Sequence, residues 1–102
     1  MDSEVEIARF RRLLAEAQLP EALKAGIERY VIGRVEPGHF LGSVLRNDLQ
    51  SAVLYMGDGV DLAALVRWMH YNCPDRAWGS DAAVLAWTRD KPIVAVAGGV
   101  SC

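Results

Sequence analysis

The chain has little of what usually announces a chemistry. Its 102 residues include two cysteines, Cys73 and Cys102, and two histidines, His39 and His70. Structural zinc sites draw four ligands from paired Cys and His clusters, so this inventory excludes a zinc-ribbon or finger design, and no metal site is expected. No CxxC, HExxH, GxSxG or Walker A pattern occurs. A disulfide-stapled mini-protein is excluded on count, and a Cys73–Cys102 bridge is disfavoured if the compartment is the cytosol. No apolar run approaches the roughly 18 residues needed to span a membrane. The opening MDSEVEIARF lacks the basic and apolar regions of a secretory leader, so the expected compartment is cytoplasmic. A charge excess of one sign is missing too: 11 basic against 13 acidic side chains give a net charge of −2. That excludes a polybasic nucleic-acid binder and an acidic tail, and no direct DNA binding is expected. The length suits one domain, residues 1–102, with a single modest core.

What remains is helical patterning. Ser3 and Glu6 form an S-x-x-E capping box, followed by Ile7, Phe10, Leu14 and Ala17 on one face of a helix ending near Gln18. Pro20 opens a second helix with Leu19, Leu23, Ile27, Tyr30 and Val31 on its apolar side. Gly33 is the expected helix-ending glycine, and Gly26 either admits a neighbouring helix or is a mild propensity defect. Pro37 and Gly38 mark the entry to a third helix, where Phe40, Leu41, Val44 and Leu45 share a face. Continuing that helix would bury Asp48 on the same face, which is costly for an unpaired carboxylate. Two readings follow. Either Asn47 ends the helix in a left-handed conformation and Asp48 caps a new one, or Asp48 faces a partner or pocket.

Asp58 and Asp61 mark the start of the helix DLAALVRWMHYN, stopped by Pro74. One stripe of this helix carries Leu62, Leu65, Val66 and Met69, and a second carries Ala64, Trp68 and Tyr71. The two-sided pattern predicts either a central helix or a partner interface at Trp68 and Tyr71, and self-association into a dimer is one expectation. Ser80 caps a last helix containing Val84, Leu85 and Trp87. The ending IVAVAGGVSC reads as an extended tail. The fold class is therefore all-α: a compact bundle of five or six short helices with an extended C-terminal tail. Phe40, Leu41, Val44, Leu65, Val66, Met69 and Trp87 are expected to share its core.

Polar residues suitable for a site gather in PGHFLGSVLRNDL and in the turn AWGS. Arg46 could clamp an anion through its planar fork, and Trp78 offers a stacking face. Asn47 and Asp48 supply hydrogen-bonding groups, and His39 and Ser80 lie at helix entries. These six residues, His39, Arg46, Asn47, Asp48, Trp78 and Ser80, form the candidate ligand-or-partner site. Each has a plain structural alternative: caps, a helix junction and a core tryptophan. A hydrolase using His39 or His70 with Asp48 lacks any supporting motif, so no catalytic residues and no cofactor are expected.

Read together, YVIGRVEPGHFLGSVLRNDLQSA, MHYNCP and WGSDAAVLAW resemble a family of small uncharacterised proteins of tailed phages and prophages. The likeness covers residues 30–87, its specific parts being PG-x-FL-x-x-VL-x-NDL and the WGS turn. The sequence departs from the family between residues 54 and 61, where YMGDGVD replaces a longer charged connection. The resemblance carries no activity. It implies an accessory protein in the host cytosol, of a kind that often neutralises host defence by binding a protein or a nucleotide signal. Expected functions are thus a non-enzymatic binding protein acting through a protein interface, or a sponge for a nucleotide-like small molecule.

Overall fold

A computed structural model describes residues 3–57 and 59–89. Among these residues six α-helices follow one another: α1 (Glu4–Glu16), α2 (Glu21–Val31), α3 (His39–Leu45), α4 (Leu49–Tyr55), α5 (Leu62–Asn72) and α6 (Asp81–Arg89). A single 3-10 turn, Asp75–Ala77, joins the last two. No strand occurs among the described residues, and no helix among them is long and apolar enough to cross a membrane. The expected extended tail lies outside the described residues, as do Asp58 and Cys102.

The helix starts follow from side chains that satisfy otherwise unpaired N–H groups. Both arms of the Ser3–Glu6 capping box are present. Asp48 Oδ1 accepts from the Ser51 N–H at 3.2 Å, Asp61 Oδ1 from Ala64 at 3.1 Å, and Ser80 Oγ from Ala83 at 3.1 Å. Asn47 sits in the left-handed region at φ 63°. There the Asn47 N–H reaches Val44 O at 3.1 Å and the Asp48 N–H reaches Ser43 O at 2.8 Å, the paired bonds of a Schellman ending. Asn47 thus breaks the chain direction and Asp48 caps α4, which keeps the Asp48 carboxylate out of the core.

The end of α2 departs from expectation. The left-handed residue is Arg34 at φ 58°, not Gly33. Gly33 is required for another reason: a Cβ there would come within 2.8 Å of the Arg29 carbonyl oxygen. Arg34 is buried, with its guanidinium carbon 3.7 Å from the centroid of a Trp87 ring. An arginine tolerates this strained backbone position because its planar cation gains a stacking surface. At Gly26 a Cβ would make only ordinary contact with Leu41 Cδ2 at 3.4 Å, so close approach does not require the glycine.

The core is one cluster that takes residues from every helix, including Phe10, Ile27, Tyr30, Leu45, Ala52, Leu65, Met69, Val84 and Trp87. Leu41 and Val44 belong to it, and Phe40 packs against it half-buried. Val66 does not: it is 38% exposed. It lines a hollow shared with Leu49 and Ala52 of α4, which leave it partly open to solvent. Fully buried Tyr30 is the central tie. Its hydroxyl donates to Ala77 O at 2.5 Å, and its carbonyl accepts from Trp87 Nε1 at 3.1 Å. One α2 residue thereby fixes both the 3-10 turn and α6.

Candidate functional site

The end of α3 and the WGS turn, distant in sequence, meet in space. The Gly79 N–H donates to Leu45 O at 2.7 Å, from a φ of +112° that only glycine adopts readily. Beside this bond Arg46 bridges two segments. Its Nη2 lies 3.1 Å from Glu36 Oε1 and its Nε lies 3.0 Å from Asp81 Oδ1. Gly42 makes the arrangement possible, because a Cβ there would fall 2.6 Å from Arg46 Nη1. The arginine fork expected to face a ligand anion is therefore engaged by two carboxylates of the protein. Ser80 caps α6 next to it, and Trp78 packs half-buried against the core.

The other three candidate residues lie elsewhere. Asn47 and Asp48 border a hollow of about 60 Å³ shared with Val44, Ala52, Leu62 and Val66. His39 is exposed and stacks on Tyr55 of α4, ring centroids 5.1 Å apart at 24°, and it lines a separate groove between α2 and α3. The structure thus brings Arg46, Trp78 and Ser80 to one junction and leaves Asn47, Asp48 and His39 at two others.

The α5 stripe divides as well. Trp68 turns inward and meets Phe10 edge-on, centroids 5.7 Å apart. Tyr71 points outward at 79% exposure, edge-on to His70. Three positions apart on a helix is about 60° around the axis, so the two rings are neighbours on one side, Trp68 at the core margin and Tyr71 further round in solvent.

Sequence reasoning missed the most unusual surface. Of the seven residues of α4, LQSAVLY, only Ala52 is buried. Leu49, Val53, Leu54 and Tyr55 are all exposed, as is the adjoining Met56, and Leu54 reaches 73%. The signal was legible: this is a helix with no charged residue and with Gln50 and Ser51 as its polar members, and so apolar a helix is normally buried.

Burial pushes the Cys73 thiol up to about 12, so at neutral pH it is a protonated core residue rather than a thiolate. No cluster of three metal-ligating side chains occurs among the described residues. Comparison of the chain with family models, curated proteins and solved structures finds no match.

Proposed function

We propose that the protein is a non-enzymatic accessory protein of phage type that binds a host defence factor through a protein interface centred on α4. The single observation that supports this reading is the outward apolar surface of Leu49, Val53, Leu54 and Tyr55. Exposed apolar side chains gathered on one short helix mark protein contacts, and a few buried anchors supply most of the affinity. Each leucine fully covered by a partner contributes about 1.5–3 kcal/mol before the cost of association. The nucleotide-sponge reading has less support, because the Arg46 cation is already ion-paired to Glu36 and Asp81. A homodimer through α5 retains Tyr71 but loses Trp68 to the core margin.

The test is capture from host lysate, identification of the partner by mass spectrometry, and reconstitution with the purified partner. Leu54→Glu should weaken that binding at least tenfold, as loss of a hot-spot side chain does, with the helical circular dichroism unchanged. Equal binding by the folded variant refutes the α4 interface.

A further inference from the structure

A second surface has a different character. The groove between α2 and α3 has a volume of about 310 Å³, at the lower end of the range for small-molecule sites. Leu23, Phe40, Leu41 and Val60 give it apolar walls, and its polar members are Arg29 and His39, with no carboxylate among the described lining residues. The Arg29 guanidinium reaches over this space: Nη2 lies 4.0 Å from where a Gly26 Cβ would stand. Arg11, Lys24 and Arg46 are each ion-paired to a glutamate or aspartate. Arg29 has no such partner among the described residues, as holds for Arg9, Arg12 and Arg67, but of these it is the one that lines the groove. His39 is held in place by its stack on Tyr55 and adds a second hydrogen-bonding group at the rim.

An apolar trough with a planar cation at its edge complements a ligand with an aliphatic body and a carboxylate head, since a guanidinium pairs carboxylates through two parallel bonds. The net charge of −2 gives the molecule no general attraction for anions, so such binding would be local to this groove. We propose that the α2–α3 groove is a binding site for a small aliphatic carboxylate of medium-chain fatty-acid size, with the head on Arg29 and the chain over Leu23 and Phe40.

The probes are octanoate, octanol and octylamine, titrated into the full chain and followed by two-dimensional amide NMR. Octanoate should move the signals of α2 and of the start of α3, while octanol and octylamine bind more weakly. Arg29→Gln should weaken octanoate about threefold to fivefold, the weight of a partly exposed ion pair. Ala22→Trp, at an exposed position on the groove wall, should abolish binding by filling the trough. Both variants alter exposed positions, and circular dichroism checks that they fold; if Ala22→Trp does not, Arg29→Gln decides. The proposal is overturned if octanoate moves no groove signals or only those of α4. It is equally overturned if octanol binds as tightly as octanoate, or if either folded variant binds octanoate like the parent.

Discussion

Replacing Tyr30 by phenylalanine isolates one hydrogen bond at the centre of the molecule. The ring keeps its packing, and only the hydroxyl that donates to Ala77 O at 2.5 Å is lost. Tyr30 and Ala77 are both fully buried, so the carbonyl is left without its donor. The vacated volume, a single oxygen atom, is too small for a water molecule to replace it. A buried polar group stripped of its partner costs about 1–3 kcal/mol, a large share of the roughly 5–15 kcal/mol that holds a domain together. At about 4–8 °C per kcal/mol for a chain of this size, Tm should fall by about 4–24 °C. Urea unfolding followed by tryptophan fluorescence measures the loss directly, because Trp87 Nε1 bonds the Tyr30 carbonyl. The midpoint should move while the slope, which follows the surface exposed on unfolding, stays constant. A loss below about 0.5 kcal/mol, the range of ordinary surface changes, would refute Tyr30 as the tie between α2, the 3-10 turn and α6.

Alkaline pH should destabilise the fold. Burial raises the Tyr30 hydroxyl from 10.0 to about 12 and the Cys73 thiol from 9.0 to about 12. The unfolded chain therefore releases these protons first, and the stability present below about pH 9 is lost as pH rises towards 12. Urea midpoints measured across that interval should fall, and Cys73→Ser should flatten its lower part. At Asn47, glycine should leave stability within about 1 kcal/mol of the parent and valine should lower it by about 1–2 kcal/mol, since the left-handed backbone penalises a branched Cβ; thermal melts compare the two. Leu65→Ala should cost about 2–5 kcal/mol at a fully buried site, whereas Val66→Ala should cost under about 1 kcal/mol because that side chain is partly exposed. Equal losses at the two positions in denaturant titrations would refute the assigned face of α5.

Local signals were readable in the sequence wherever a side chain acts on its own neighbours. The capping box at Ser3, the Asn47–Asp48 junction and the cap at Ser80 depend on bonds spanning three to five residues, and the stop at Pro74 on that ring's effect on the residue before it, so the all-α class and most helix ends follow from local signals. The face of α1 that carries Phe10 and Leu14 follows from helical periodicity in the same way. Tertiary structure alone decided the rest. Periodicity places Val66 beside Leu65 and Trp68 near Tyr71, but burial is set by what lies opposite, and Val66 borders an open hollow beside α4. The left-handed turn falls on Arg34 because Trp87, more than fifty residues away in the chain, offers the guanidinium a face. Arg46 reads as a free anion clamp until folding brings Asp81 to its Nε at 3.0 Å. The apolar residues of α4 resemble core until the fold leaves them outside. Sequence fixes which groups a helix presents, while the packing of distant helices determines whether each group meets solvent, an ion pair or the core.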